Sequence, residues 1–154
     1  MTHHPSPIIP LDEARARAIL ERVRPIPIVD TLGLRVIEFG EGYCRATAPY
    51  DPKYDGIFAS FHGGLLSTVA DSIACFAILT KIDPGEAVTT TDMTIRFLAP
   101  CRSDVTAVAR VIKIGKTLCP VAVDLYDAGG VHVASAQVTY IRLTKPNSVP
   151  TGRC

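Results

Sequence analysis

The sequence predicts an α+β fold, a curved antiparallel sheet wrapped around one long central helix, with a short helix ahead of it. Residues 64–81 read as a helix that is apolar on nearly every side, and such a helix has to be surrounded. From residue 87 the pattern changes to two-residue alternation, and DAGG at 127–130 forms a hairpin turn. Hairpin-connected strands bury a helix of this kind when their sheet curls around it.

Each element has its own local signal. The segment Leu11–Val23 has one apolar face and predicts the short helix, which Pro25 and Pro27 end. Two strands follow at Leu34–Phe39 and Tyr43–Ala48, joined by the turn GEG, and DPG at 83–85 closes the central helix. Three or four long antiparallel strands complete the fold, in the segments 87–100, 104–115, 118–127 and 131–143.

Strand alternation assigns a face to each residue of the segment 87–100. One face is predicted to hold the apolar side chains Met93, Ile95 and Phe97. The other face is predicted to carry the polar set, Thr90, Asp92, Thr94 and Arg96.

The composition is that of an ordinary globular protein, 47% hydrophobic and 20% charged, with a net charge of +1. This balance gives no support to a nucleic-acid or membrane-surface partner.

The N-terminus shows no secretory signal, and the five scattered cysteines form no CxxC pair or Cys/His cluster. We therefore expect a cytoplasmic protein without a metal. We expect one domain over 1–154, with its core at about 32–143 and flexible ends at 1–8 and 145–154.

The central helix carries one charge, Asp71. The polar side chains of the helix fall on one narrow stripe, Ser67, Thr68, Asp71 and Ser72, which Cys75 continues. A carboxylate in an apolar helix is costly unless it is paired or used. Two interpretations stand side by side: Asp71 is structural, for instance as a partner of Arg96, or it is functional.

The helix begins at His62, Gly63 and Gly64. Its first backbone N–H groups lack intrahelical partners, and glycines leave them unshielded, so the terminus can accept an anion or a developing oxyanion. The alternative is that the glycines only allow a tight turn or close packing. Eight residues separate Gly63 from Asp71, about 12 Å at the helical rise. If both act on one substrate atom they must come from different subunits, which predicts a dimer with two equivalent sites.

These residues resemble a known family. The segment HGGLLSTVADS resembles the His-Gly-Gly…Asp signature of hotdog-fold acyl-CoA thioesterases of the phenylacetate-degradation-type (PaaI-like) branch. The similarity continues through TTTDMTIRFLAP and through ARVIKIGKTLCPVAVDLYDAGGVHVASAQVTYI. It covers roughly residues 32–143.

The resemblance implies a thioester hydrolase and a role for each matching residue. Gly63 matches the residue whose backbone N–H polarises the thioester carbonyl, and Asp71 matches a general base or nucleophile that acts across a dimer interface. His62 matches a histidine beside the site, and Thr90 matches a Ser/Thr position that helps to place the water. Relatives form homodimers, often paired into tetramers, and use no metal or redox cofactor. The expected partners are thus an acyl-CoA substrate and a second copy of the chain.

The loop before the helix departs from the family pattern. Relatives often carry Asn at about the position of Gly56, where Asp55 is here the nearest polar residue. Asp55 takes over part of that role, or the water is held differently, or catalysis is weak. The residues expected to contact substrate are Gly64, Asp55, Gly56, Ser72, Lys113 and Lys116. The two lysines either meet the coenzyme A phosphates or are solvated at a strand end.

Two other functions remain open at this point. A non-hydrolytic acyl-CoA binding protein agrees with the missing loop Asn, although binding alone gives no reason to bury a carboxylate. A hydratase or dehydratase on acyl thioesters is less favoured, because relatives of that kind carry an Asp–His pair or a His-Phe-Pro entrance followed by a helix Glu. Neither pattern occurs here.

Overall fold

The computed structural model describes residues 7–143. The helices of this part of the chain are α1 (Glu13–Val23), α2 (Pro27–Thr31) and α3 (Gly63–Leu79), with a 3-10 turn at Pro52–Tyr54. The strands are β1 (Arg35–Gly40), β2 (Tyr43–Ala48), β3 (Ala87–Phe97), β4 (Val105–Val111), β5 (Leu118–Asp127) and β6 (His132–Leu143).

The six strands form one antiparallel sheet in the order β1-β2-β4-β5-β6-β3. Helix α3 connects β2 to β3 and packs against β2, β4, β5, β6 and β3. Its core-facing side chains are fully or nearly fully buried, among them Ile73 and Ile78 at 0% exposure. The predicted α+β architecture, a curled sheet around one central helix, is confirmed.

Helix α1 sits at the far end of α3. The Arg15 guanidinium donates to the carbonyl oxygens of Leu79, at 2.9 Å, and Ile82. These carbonyls belong to the helix C-terminus and the turn after it, where backbone acceptors lack intrahelical donors. The contact holds α1 away from the glycine-rich start of α3.

Several predicted boundaries were wrong. Pro27 does more than end α1: it is the first residue of the unpredicted helix α2, because its fixed φ suits a first helical turn. The central helix runs from Gly63 to Leu79 rather than over 64–81. The predicted strand 104–115 ends at Val111, because Gly115 donates its N–H to the Leu118 carbonyl in a tight turn.

One residue of β3, Thr90, lies on a different face from the one predicted. The register shifts between Thr90, which pairs with Tyr140, and Asp92, which pairs with Thr139. This bulge places Thr90 on the helix-facing side, whereas strict alternation had put it with Asp92. Phe97 shares the face of the half-buried Met93 and Ile95, as predicted, because the register does not shift between Met93 and Phe97. Its side chain is 52% exposed and lies against the start of α3.

The ends of the chain lie largely outside the described residues, and so does the predicted flexibility of 1–6 and 145–154. Residues 7 and 8 are described, and the Ile8 side chain packs closely against Gly40. Within residues 7–143, no helix is long and apolar enough to span a membrane.

Candidate active site

Asp71 lies in the third turn of α3 and is held by two hydroxyl groups. Its Oδ1 accepts hydrogen bonds from Thr90 Oγ1 and from Tyr140 Oη, both at 2.8 Å. Tyr140 Oη also lies 2.7 Å from the main-chain oxygen of Asp71. Among the described residues no group donates to Oδ2. One carboxylate oxygen is therefore anchored while the other is available to a substrate or a water molecule.

The sheet brings the two hydroxyls together. Thr90 and Tyr140 are cross-strand partners on β3 and β6, so their side chains project from the same face toward α3. The bulge after Thr90 gives it this direction. Tyr140 is 4% exposed, and burial raises the pKa of its hydroxyl. It therefore acts as a hydrogen-bond donor toward Asp71 at neutral pH.

The polar stripe of α3 is confirmed. Ser67, Thr68, Asp71, Ser72 and Cys75 are half-buried, whereas most of the other α3 positions beyond Leu65 are buried. The three hydroxyl groups donate to the helix's own carbonyls one turn earlier, on Gly63, Gly64 and Thr68. Ser72 is thus satisfied within the helix and does not contact the Asp71 carboxylate.

Asp71 does not pair with Arg96. The carboxylate is hydrogen-bonded by Thr90 and Tyr140, so the ion pair considered from the sequence is wrong. Cys75 lies one turn further along the stripe, and burial together with the Asp71 charge raises the pKa of its thiol to about 11. A thiol with this pKa stays protonated near neutrality and is a poor nucleophile.

The entrance of α3 is built around His62. This residue is the N-cap, and its Nδ1 accepts a hydrogen bond from the Gly64 N–H at 3.0 Å. The His62 carbonyl accepts from the N–H groups of Leu65 and Leu66. Within residues 7–143 the Gly63 N–H has no acceptor. The cap thus occupies Gly64 and leaves Gly63 as the available donor at this terminus.

Gly63 is a glycine for a steric reason. A Cβ at this position would lie 3.0 Å from Cζ and 3.3 Å from Cε1 of Phe97. Beside the Gly63 N–H lies an open cavity of about 450 Å³, a size typical of small-molecule sites. Its lining includes Ser60, Phe61, Gly63, Leu66, Phe97 and Leu98.

The loop before α3 is tightly held. The Gly56 N–H donates to the Ser60 carbonyl, and Arg102 Nε donates to the Ala59 carbonyl at 3.0 Å. Both carboxylate oxygens of Asp55 lie within hydrogen-bond distance of the Tyr50 hydroxyl, at 2.8 and 3.0 Å. Gly56 lies beside the His62 ring. Asp55 is thus held by Tyr50, and the loop offers no amide side chain at Gly56.

The remaining predicted residues lie apart from these two clusters. Lys113 and Lys116 are exposed in the turn between β4 and β5, and their contact with coenzyme A phosphates stays a prediction.

The sequence did not lead us to predict Tyr140 as a residue of the site. The alternation of β6 could have revealed it. Tyr140 lies two residues after the buried Val138 and therefore on the same inward face, where it carries the hydroxyl group.

Comparisons with known proteins agree with this geometry. The model of the "Thioesterase superfamily" matches residues 58–134. A "Putative esterase" of Haemophilus influenzae is 33% identical over 91 residues, which are 58% of this chain and 66% of that protein. "Acyl-coenzyme A thioesterase 13" of Homo sapiens is 32% identical over 92 residues, 58% of this chain and 65% of that protein. This chain thus spans just under two thirds of the length of either relative.

Solved structures share the whole architecture. A thioesterase family protein from Silicibacter pomeroyi superposes with a TM-score of 0.80 at 26% identity, covering 85% of this chain and 99% of that one. The PaaI protein of the Escherichia coli phenylacetic acid degradation operon gives a TM-score of 0.79 at 23% identity, covering 87% and 96%. At that identity the second likeness concerns the fold alone.

Proposed function

This chain belongs to the thioesterase superfamily and has the hotdog fold, and we propose that it hydrolyses acyl-coenzyme A to a free acid and coenzyme A. One observation carries the proposal. The Asp71 carboxylate is anchored through Oδ1 by Thr90 and Tyr140, while Oδ2 has no donor among residues 7–143. Asp71 is half-buried in the single chain, so Oδ2 has the access to water or substrate that a base or nucleophile requires.

The reaction needs two contributions from the protein. Asp71 acts through Oδ2, either as the base that takes a proton from water or as the nucleophile that attacks the thioester carbon. The Gly63 N–H stabilises the negative charge that develops on the carbonyl oxygen when the new bond forms. The carbon–sulfur bond then breaks, and the coenzyme A thiolate leaves and takes up a proton. When Asp71 attacks directly, a water molecule then hydrolyses the mixed anhydride formed on Asp71, which releases the free acid and restores the carboxylate. The proposal uses no metal ion and no redox cofactor.

We further propose that the site is completed by a second copy of the chain, in a homodimer or a pair of dimers. Gly63 and Asp71 stand about 12 Å apart along one helix, too far to act on one carbonyl. Strand β3 is an edge of the sheet, and its outer backbone groups face no other described strand. The half-buried stripe of α3 faces this edge, where Thr90 meets Asp71. A two-fold partner at β3 would supply its own Gly63 to this Asp71.

Mixing two inactive variants tests the shared site. A heterodimer of Asp71→Asn and Gly63→Ala chains has one site with both defects and one site with none. Random re-association therefore restores about a quarter of the wild-type rate, since half of the dimers are mixed and half of their sites are intact. Mixing that restores no activity, with mixed dimers present by mass spectrometry, contradicts the shared site.

The activity itself is tested by thiol release from short, medium, long and aryl acyl-CoAs. We expect turnover of at least one class, and a loss of about 10²–10⁴ in kcat for Asp71→Asn, as for removal of a general base. The matched control is Asp92→Asn, which changes an exposed carboxylate on the outer side of β3 and should leave kcat unchanged. Turnover that survives in folded Asp71→Asn would assign catalysis to another residue.

A second candidate is a non-hydrolytic acyl-CoA binding protein. The loop before α3 favours it, because Gly56 carries no side chain and Asp55 is held by the Tyr50 hydroxyl. Calorimetric titration with a non-hydrolysable acyl-CoA thioether, beside the thiol-release assay, separates the two functions. Binding of the thioether without turnover of any acyl-CoA would establish the second candidate.

A further inference from the structure

We propose that Tyr140 is a positioning residue that fixes the Asp71 side chain so that Oδ2 faces the reacting group. The inference deepens the proposed thioesterase function and rests on it. Tyr140 does not itself touch the substrate in this account, because its hydroxyl is already occupied by two oxygen atoms of Asp71.

The Tyr140 hydroxyl contacts both the backbone and the side chain of Asp71. Tyr140 Oη lies 2.7 Å from the main-chain oxygen of Asp71 and 2.8 Å from its Oδ1. One hydroxyl thus bridges the backbone and the side chain of the same residue. Such a bridge restricts both side-chain torsions of Asp71, since Oδ1 cannot turn away from its own carbonyl without losing the contact. The orientation of Oδ2 follows from that of Oδ1.

Two hydroxyl groups, those of Thr90 and Tyr140, share the Oδ1 atom of Asp71. A hydroxyl has a single proton, and Tyr140 has two acceptors within reach, so it cannot bond fully to both at once. Thr90 Oγ1 supplies another donor to Oδ1 at 2.8 Å. Thr90 is exposed in the single chain, whereas Tyr140 is 4% exposed. Tyr140 is therefore the rigid member of the pair and sets the direction of the carboxylate.

A second tyrosine, Tyr43, is buried to a similar degree as Tyr140. Tyr43 on β2 is 5% exposed and stacks under the Arg110 guanidinium, at 4.7 Å from its ring centroid. Among the described residues the Tyr43 hydroxyl forms no hydrogen bond. The Tyr140 hydroxyl, in contrast, donates to Asp71 and also interacts with the Thr90 hydroxyl and the Cys75 thiol. Burial alone therefore does not account for the Tyr140 contact.

The test removes one oxygen atom from each tyrosine. Tyr140→Phe keeps the ring in the core, and we expect kcat to fall about 10- to 100-fold, as for loss of a hydrogen bond to a charged group, with KM within about twofold. Tyr43→Phe should leave both constants unchanged. A Tyr140→Phe enzyme with wild-type kcat, or one with an equal rise in KM, overturns the inference.

Two further measurements separate this inference from the proposed function. In a crystal structure of Tyr140→Phe, Asp71 should adopt a different rotamer or more than one. An unchanged single rotamer overturns the positioning role, whether or not the protein hydrolyses thioesters.

A double-mutant cycle tests whether the two hydroxyls hold Oδ1 together. Thr90→Val should lower kcat less in the Tyr140→Phe background than in wild type, because the Asp71 carboxylate is then already free to rotate. Strict additivity contradicts a shared hold on Oδ1. Absence of turnover in wild type would remove the proposed function and leave the rotamer to decide the inference.

Discussion

The entrance of α3 and its third turn differ in how they make a functional group available. At the entrance the group is a backbone N–H, left free because His62 caps the next residue and because Gly63 has no side chain. At the third turn the group is a carboxylate oxygen, left free because two hydroxyls hold its neighbour. The entrance depends on the local sequence and on the absence of a side chain at Gly63, where Phe97 leaves no room for one. The third turn depends on the register of two strands that are far away in the chain.

The largest effect expected from breaking the entrance comes from Gly63→Ala. The new Cβ would meet Phe97 at 3.0 Å, so the ring or the first turn of α3 must move. We expect kcat/KM to fall by about 10²–10³, the usual cost of losing one preorganised oxyanion donor. Steady-state assays on the best substrate measure it. The double variant Gly63→Ala/Phe97→Ala should recover part of the loss; no recovery would argue against the steric account.

The two regions also differ in how far the sequence could predict them. The signature His62-Gly63-Gly64 and the lone Asp71 are local features, and both were found where expected. Thr90 was predicted as a site residue from the resemblance but assigned to the wrong face, because a one-residue bulge is invisible to strict alternation. Tyr140 lies 69 residues from Asp71, and only the pairing of β3 with β6 brings them together.

The helices follow the same rule. The long helix was predicted to within two residues at either end, since its length and apolar character outweigh local detail. The five-residue α2 was missed, because Pro27 was interpreted only as the end of α1, whereas it is the first residue of a new helix. Short elements carry too few residues for periodicity to show, so proline position decides them.

A smaller effect at the third turn is expected from Thr90→Val. The variant keeps the shape of the side chain and removes its donor to Oδ1. Hydrogen bonds to charged groups contribute about 1.5–3 kcal/mol in buried settings, and Thr90 is exposed in the single chain, so we expect a loss near tenfold in kcat. Thr90→Ser keeps the hydroxyl and serves as the control. Equal losses in the two variants would assign the effect to packing rather than to the hydrogen bond.

A change in stability rather than in chemistry is expected from His62→Ala. The substitution removes the acceptor for the Gly64 N–H, and loss of an N-cap typically lowers the free energy of unfolding by about 1 kcal/mol. Urea unfolding measures the loss. Asn is a good N-cap residue, so His62→Asn should restore stability and keep wild-type turnover. A stable His62→Asn protein that stays inactive would show that the imidazole has a chemical role of its own.

The smallest effect on activity is expected from Cys75→Ala, which marks where the third-turn cluster ends. Cys75 follows Asp71 on the stripe and its thiol interacts with the Tyr140 hydroxyl. Tyr140 keeps its hydrogen bonds to Asp71 without the thiol, so kcat should stay unchanged. Its effect is on stability at high pH. Burial raises the pKa of this thiol from 9.0 to about 11, so the folded chain keeps the proton while the unfolded chain loses it. The thiol's contribution is therefore complete below pH 9 and is lost as the pH rises to 11.

Between pH 8 and 10 the wild-type protein should consequently lose about 1 kcal/mol more unfolding free energy than Cys75→Ala does. Urea titrations of both proteins at the two pH values give this difference, in which contributions common to both chains cancel. Parallel curves would mean that the thiol ionises as readily in the folded chain as in the unfolded one. In that case solvent would reach the side chains around Asp71 well beyond Oδ2. The third turn of α3 would then be as accessible to solvent as the entrance of the helix.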